Sequence, residues 1–150
     1  MIELSTIEAS ANLVVERNKI LLIEEQDPLI EGRWNFPGGM REPGESLIDC
    51  AIREGKEETG LTLKPVGFLC LCQQPKCQQI GGRDLTMIVF ESQAMGGKLT
   101  NSKAQWFTSL EIERMSRKGK LVHPYILYAL KHYAETQETN LNNIMIYPPG

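Results

Sequence analysis

Three glutamates crowd the end of a predicted helix, and this crowding constrains the fold more than any other feature. Ser46 is a favourable N-cap and Gly60 stands where a glycine commonly ends a helix, so the sequence predicts a helix over residues 47–59. On a helical wheel the glutamates adjoin the apolar face that packs on a sheet. Like charges at this spacing repel, and the helix C-terminus disfavours anions. The arrangement therefore requires a positive ligand. The three residues are Glu54, Glu57 and Glu58.

The chemistry of that ligand follows from the donor atoms. Carboxylate oxygens without a nearby histidine or cysteine suit a hard divalent ion, Mg²⁺ or Mn²⁺, better than Zn²⁺. The preceding segment, Pro37-Gly38-Gly39, offers backbone groups with no side chain to block an incoming ligand. Because such ions commonly act on phosphates, the sequence predicts a metal and phosphate site. The alternative is a solvated acidic surface, which would not adjoin the apolar face.

The spacing of these residues resembles the signature box of the Nudix hydrolases. Gly55 departs from the family pattern, which prefers an aliphatic residue there, and a glycine inside a helix costs about 1 kcal/mol relative to alanine. Residues 34–39 resemble the approach to the box in MutT-like members, and residues 105–107 resemble the family's late strand. The matching positions of the box are Gly39, Glu45, Arg53, Glu54, Lys56, Glu57, Glu58, Thr59, Gly60 and Leu61.

The resemblance implies a Nudix-type α/β/α sandwich with a mixed β-sheet. It also implies Mg²⁺-dependent hydrolysis, with Mn²⁺ as an alternative ion, of a nucleoside diphosphate linked to another group. By position, the three glutamates would hold the metal together with the carbonyl of Gly38. Arg53 would orient the glutamates through an ion pair, Glu45 would support the loop and the helix start, and Gly39 and Gly60 complete the box.

The general base is left open by the sequence. Many relatives carry an acidic residue just before the late strand, but here that segment, Leu99 to Ala104, has no carboxylate. Either the box supplies the base or another acid, such as Glu91 or Asp84, reaches the site.

Substrate choice depends on residues outside the box. The chain loosely resembles the NudJ-type phosphatases, which favours nucleoside di- and triphosphates. Pro75 lies near the position of a proline in ADP-ribose hydrolases, but a turn is the favoured interpretation, so ADP-ribose is the less favoured substrate. Two further functions stay open: a nucleotide-binding module without turnover, and a partner-binding domain that uses its tail. The candidate substrate contacts are Gly39, Phe36, Arg33 and Arg83, with a solvated cation or a core residue as the alternative for the last three.

Composition narrows the remaining classes. The chain has 150 residues and a net charge of −3, which fits one domain and gives no general attraction to a nucleic-acid duplex. The sequence has no basic and apolar leader and no apolar run near the roughly 20 residues of a membrane span. We therefore expect a cytoplasmic monomer or homodimer without a membrane or nucleic-acid partner. Cys70, Cys72 and Cys77 are expected as core thiols rather than as a metal or redox site.

The pattern predicts one Nudix domain over 1–135 and a tail over 136–150 that docks on the body or contacts a partner through residues 144–147. The polar segment 74–84 is predicted as a loop. The predicted strands are 9–16, 19–25, 34–36, 61–73, 85–93 and 104–107, and further helices start near Ser109 and span 121–134.

Overall fold

The computed structural model describes residues 6–136, 139–142 and 144–146. Within these residues the chain forms a seven-stranded mixed sheet with flanking helices. The strands are β1 (Thr6–Glu16), β2 (Lys19–Glu24), β3 (Trp34–Asn35), β4 (Gly38–Met40), β5 (Leu61–Cys77), β6 (Arg83–Gly97) and β7 (Ala104–Phe107). The helices are α1 (Leu47–Thr59), α2 (Ser109–Arg117) and α3 (Tyr125–Glu135).

The sheet follows the order β3-β2-β1-β6-β5, with β4 paired to β1 and β7 paired to β2. Only the pairing of β1 with β6 is parallel among these described strands, so the sheet is mixed. Alternation along β1 sends Leu13 into a cluster with α2 and α3, and Val14 into a second cluster with Leu63. Because α1 packs on β1 and β5, helices flank the sheet. The predicted Nudix-type α/β/α sandwich is confirmed.

The helix α1 has the predicted bounds. The Ser46 side chain accepts from the Asp49 amide at 3.0 Å, and Gly60 ends the helix with φ of 82°. Gly55 faces β5, where an added Cβ would lie 2.5 Å from Cδ1 of Leu63. The glycine therefore lets the helix approach the sheet, which is the packing reason for its departure from the family pattern.

The loop predicted over 74–84 is wrong. Strand β5 continues to Cys77, a short 3-10 turn covers Gln78–Ile80, and β6 begins at Arg83. Glycines 81 and 82 adopt positive φ at the turn. This hairpin arm is largely exposed, so its strands need no apolar pattern, and its polar sequence imitates a loop.

Two other boundaries differ from the prediction. Helix α3 begins at Tyr125 rather than at Leu121, because Leu121 forms a bridge to Trp34 and Pro124 precedes the first turn. The short strand β4 was not predicted, since glycines make up two of its three residues. Its partner is β1, which pairs Ser10 with Gly39.

Part of the tail contacts the sheet. The carbonyl of Asn140 accepts from the Phe68 amide at 2.9 Å, and the Thr139 hydroxyl donates to Glu91. Of the tail residues predicted to make contacts, Ile144, Met145 and Ile146 are described, whereas Tyr147 lies outside the described residues. The division between 135 and 136 stays a prediction. No helix in the described part of the chain is long and apolar enough to cross a membrane.

Candidate active site

A buried asparagine holds α1 in place beside β4, which is called the glycine strand below. Asn12 is fully buried, and its side-chain amide donates to the carbonyls of Pro37 at 3.1 Å and Ala51 at 3.0 Å. Its oxygen accepts from the Ser92 hydroxyl at 2.8 Å. This buried amide is fully paired, as a buried polar group must be, and it ties together β1, β6, α1 and the segment before β4. The role of Asn12 has no local signal in the sequence, because its partners lie 25 to 80 residues away along the chain.

Arg53 gathers several carboxylates on one side of α1. Its guanidinium donates to both oxygens of Glu45, at 2.6 and 2.9 Å, and to Glu54 at 2.8 Å. A longer bond of 3.3 Å reaches Glu57, whose side chain is 59% exposed. The hydrogen bond from Arg53 holds the pKa of Glu45 well below its usual range. The arginine therefore fixes the orientation of these acids, as the resemblance implies.

The Glu54 carboxylate packs against the backbone of the glycine strand. A Cβ added at Gly39 would lie 2.4 Å from the carboxyl carbon of Glu54 and 2.6 and 2.7 Å from its oxygens. No side chain fits between this carboxylate and the backbone. The neighbouring Gly38 is equally constrained, because an added Cβ would meet the Ser10 carbonyl at 2.2 Å.

Glu58 faces away from Arg53 and has no cation. Its Oε2 atom is buried and has no hydrogen-bond partner among the described residues. Burial, followed by repulsion from Glu25 and Glu54, raises the pKa of Glu58 to about 9, although the Gly38 amide donates to it and lowers the pKa in part. The role of the Gly38 carbonyl as a metal ligand, which the resemblance implies, stays a prediction. A buried carboxyl oxygen whose lone pairs have no partner is suited to bind a cation.

Glu25 is a further acid that the sequence analysis missed. It follows β2 directly, and its carboxylate lies in the cleft lined by Gly38 and Gly39. Burial raises its pKa, and the charges of Asp27 and Glu54 raise it further. A strand-end glutamate in an acidic loop gives no signal in the sequence, because its proximity to the helix depends on the path of the chain.

The acids fit a hard divalent ion only in part. Among the described residues, no three acidic, histidine or cysteine side chains converge closely enough to enclose an ion by themselves. Mg²⁺ commonly binds through one or two carboxylates, keeps several waters and takes its remaining ligands from substrate phosphates. The unpartnered oxygen of Glu58 and the cradle of Gly39 around Glu54 fit that kind of site.

The glycine strand borders a cleft with two lobes, of about 150 and 110 Å³, whose lining includes Glu25 but not the glutamates of α1. Phe36 lines the first lobe but is 1% exposed and packs edge-on against Tyr125, with ring centroids 5.7 Å apart. Arg33 and Arg83 are exposed and lie outside the lining of both lobes. The structure thus brings Phe36 and Gly39 to the cleft and leaves the two arginines away from it.

The two acids considered as distant bases are engaged elsewhere. Glu91 accepts from Thr139 in the tail, and Asp84 accepts from the Lys76 amide at 3.0 Å in the hairpin. The cysteines are free thiols: Cys50 and Cys77 are buried, and the other two pack against the core. Glu25 lines the cleft, and the Glu54 carboxylate contacts Gly39 at its border.

The fold and the site together define a class: a small α/β/α domain in which a glycine strand packs on an acidic helix edge and borders a cleft. The NUDIX domain family matches residues 6–129, and the chain belongs to this family.

Curated relatives and solved structures agree with that membership. The 8-oxo-dGDP phosphatase NUDT18 of Mus musculus is 29% identical over 116 residues, which cover 72% of this chain and 34% of that protein. An ADP-ribose pyrophosphatase of Methanocaldococcus jannaschii is 36% identical over 87 residues, or 58% of this chain and 50% of that protein. The chain thus spans about a third to a half of these relatives. A NUDIX hydrolase structure from Nitrosomonas europaea aligns over 95% of this chain and 98% of that one, with 26% identity and a TM-score of 0.82.

Proposed function

We propose that the chain is a divalent-metal-dependent hydrolase of a pyrophosphate bond in a nucleoside diphosphate linked to another group. The observation that carries the proposal is the buried, unpartnered oxygen of Glu58, beside a Glu54 carboxylate cradled by glycine. Mg²⁺ is the favoured ion and Mn²⁺ the alternative. Such an ion, when bound, neutralises phosphate charge and activates water for displacement.

The residues of the chain supply position and charge. Glu54, Glu57 and Glu58 are the proposed metal ligands, and Arg53 keeps Glu54 and Glu57 oriented through its hydrogen bonds. The glycines at 38 and 39 let their strand pack directly on the Ser10 backbone and the Glu54 carboxylate. The assignment of the three glutamates as ligands rests on the box positions together with their shared helix edge.

The cleft favours a nucleotide over a longer polyphosphate. Among the described residues, the lining of its second lobe includes no lysine or arginine, and His123 is the one basic side chain there. Amide groups and an aromatic ring suit an uncharged base or sugar, which can accept and donate hydrogen bonds there. We therefore favour nucleoside di- and triphosphates, with oxidised nucleotides and ADP-ribose as further candidates because of the named relatives. The lining includes Asn35, Gln73, Gln74, Gln79 and Tyr125.

The test is release of phosphate and pyrophosphate from a panel of nucleoside di- and triphosphates, 8-oxo-dGDP, ADP-ribose and dinucleoside polyphosphates. Each reaction is run with Mg²⁺, with Mn²⁺ and after EDTA. We expect metal-dependent turnover concentrated on one substrate class. The variant Glu57→Gln should lose most of it, whereas Glu113→Gln, on the exposed face of α2, should retain wild-type rates.

Turnover that persists in EDTA, or in Glu57→Gln at the wild-type rate, contradicts the assignment. Tight nucleotide binding without turnover of any substrate favours the non-catalytic nucleotide-binding module instead. A cytoplasmic location and a monomeric or homodimeric state stay predictions from the sequence.

A further inference from the structure

Two free thiols lie side by side on the face of β5 that packs against α3. Cys70 and Cys72 are two residues apart and pair with β6 without a bulge between them. Because side chains alternate along a strand, both thiols point to the same face. Both are half-buried and pack against the core cluster of α2 and α3, whereas Leu71 between them is exposed. The fold therefore brings this pair together at the border of the core.

Cys72 is the thiol of the pair that reaches the candidate cleft. It lines the second lobe together with Met87 and His123. It also lines a neighbouring cavity of about 480 Å³ beside α3, which Cys70 and Lys131 line as well. Cys72 thus stands in the wall between the lobe and this cavity. Besides the two thiols, the titratable groups that line these two spaces are His123, Tyr125, Tyr128, Lys131, His132 and Glu135.

The other three cysteines are less suited to react. Cys50 and Cys77 are 0% and 2% exposed, so the folded chain shields them from reagents. Cys70 donates a hydrogen bond to Cys72, which raises the pKa of Cys70 and lowers the pKa of Cys72 to about 7. The thiolate is the nucleophilic form of cysteine. At neutral pH a large share of Cys72 is therefore thiolate, while Cys70 keeps its proton.

We propose that Cys72 is a modification site that exchanges with small disulfides, and that the resulting mixed disulfide occupies the second lobe and blocks the substrate. Cys70 is its positioning residue. In the exchange, the Cys72 thiolate attacks one sulfur of the reagent and forms a bond to it. The sulfur–sulfur bond of the reagent breaks, and its other half leaves as a thiolate with the electron pair. The effect on the substrate rests on the proposed function, whereas the modification itself does not.

The spacing of the two thiols favours a lasting adduct. Residues two apart on a strand have Cα atoms about 6.6 Å apart, near the upper limit of about 6.8 Å for a disulfide. Their side chains also run parallel rather than toward each other. Cys70 is therefore poorly placed to attack the mixed disulfide, so the added group stays on Cys72 until an external thiol removes it.

An adduct on Cys72 competes with the substrate for space. The second lobe has a volume of about 110 Å³, and a glutathionyl group is larger than that. Attached to the wall of the lobe, such a group takes the position that we assign to the base or sugar of the nucleotide. Modification should therefore lower turnover.

The experiment treats the full, reduced chain with glutathione disulfide at pH 7 and follows the products by intact mass and peptide mapping. We expect one glutathionyl group per chain, carried by Cys72, while the other three of the four cysteines stay free. Cys72→Ser, shown by melting to be folded, should stay unmodified over the same time. In urea all four thiols should react, which checks that the selectivity comes from the fold.

A second variant tests the role of Cys70. Cys70→Ala removes the hydrogen-bond donor, so the pKa of Cys72 should return toward its usual range. At pH 7 the thiolate fraction should fall about 50-fold while the nucleophilicity of the thiolate rises about 10-fold, so modification should slow about 5-fold. The midpoint of the modification rate against pH should also rise. An unmoved midpoint would overturn the positioning role of Cys70.

Turnover of the preferred substrate of the panel is measured before and after modification. We expect the modified wild-type chain to lose most of its turnover and to regain it on reduction with dithiothreitol. Cys72→Ser, treated in the same way, should keep its own untreated rate.

The outcomes distinguish this inference from the proposed function. Modification that occurs first at another cysteine, or an internal disulfide between Cys70 and Cys72, would overturn the site. Selective modification of Cys72 with unchanged turnover would overturn its effect on the substrate. A chain that turns over no substrate before treatment would overturn the proposed function instead, and selective modification of Cys72 would then still support the thiol site.

Discussion

The two sides of the acidic helix edge differ in whether their carboxylates are paired with a cationic side chain. On one side, Arg53 neutralises Glu45, Glu54 and, more loosely, Glu57 through hydrogen bonds of 2.6 to 3.3 Å. On the other side, Glu58 has a buried oxygen without a hydrogen-bond partner among the described residues. The first side is paired within the protein, whereas the second is the side for which we propose a bound cation as the partner.

This difference teaches how one helix can be both stable and reactive. The ion pairs with Arg53 orient Glu45 and Glu54. At Glu58, binding of the proposed cation would offset the repulsion between carboxylates. Binding free energy then appears as added stability of the folded chain. Changing Arg53 should therefore lower the stability of the chain without metal, whereas changing Glu58 should act mainly on binding of the proposed ion.

The largest effect is expected for Glu58→Gln. Loss of a proposed metal ligand should reduce kcat/KM by at least about 100-fold, the upper end of what the loss of a group that merely supports a ligand costs. The same change should raise the melting temperature at pH 7 without metal, because it removes a buried acid that lacks a partner. Melting curves and steady-state kinetics on the preferred substrate of the panel measure both effects. A lower melting temperature without metal would show that Glu58 is structural and would break the comparison.

Arg53→Lys should lower the stability of the chain without metal, whereas Glu58→Gln should raise it. A lysine keeps the charge but cannot reproduce the two-pronged bond to Glu45. We expect the free energy of unfolding without metal to fall by about 1 to 3 kcal/mol, and kcat/KM to fall about 10- to 100-fold as Glu54 loses its orientation. Urea denaturation and kinetics test this. An unchanged free energy of unfolding would mean that the ion pairs of Arg53 contribute little to stability. The two sides of the helix edge would then not differ in stability.

The pH dependence of stability should separate the two sides directly. The pKa of Glu58 is raised from 4.5 to about 9, so its folded state holds a proton that the unfolded state has lost in this interval. Without metal, this group makes stability fall as pH rises from about 4.5 to about 9. Glu45, whose pKa is lowered, contributes stability above its unfolded pKa that is lost as the solution becomes more acidic.

Melting from pH 5 to pH 9, with EDTA and with Mg²⁺, tests this expectation. The stabilisation by Mg²⁺ should grow with pH, because the ion binds the ionised carboxylate and displaces the proton. Glu58→Gln is the control, and its stability should depend less on pH in the alkaline half. A wild-type curve without metal that rises toward pH 9 would contradict the assignment.

The smallest effect is expected for Gly55→Ala, on the face of α1 that packs on the sheet. A gain in helix propensity of about 1 kcal/mol is opposed by the 2.5 Å approach to the Leu63 methyl group. The net change in the free energy of unfolding should be under about 1 kcal/mol, with kcat/KM unchanged. A large loss of activity would show that the sheet-facing side of α1 also controls the site. The comparison of the Arg53 side with the Glu58 side would then be incomplete.

Much of the site could be predicted because it is local. The bounds of α1, its caps and the shared edge of its glutamates follow from a 3.6-residue period and from residues within one stretch of chain. The glycines before it were predicted to leave an incoming ligand unobstructed, whereas in the structure Gly39 packs against the Glu54 carboxylate. The hairpin over 74–84 was mistaken for a loop because exposed strands carry polar residues, and burial is what gives a strand its recognisable pattern.

The sequence by itself determined the Nudix-type fold and the acidic helix edge, since both depend on spacing along the chain. Only the tertiary structure decided which groups complete the site. Glu25 reaches the cleft because β2 ends beside the glycine strand, Tyr125 reaches Asn35 across the sequence, and Asn12 joins three elements from inside β1. Such contacts depend on the path of the folded chain in space, and a periodic pattern carries no information about which distant residue will meet which.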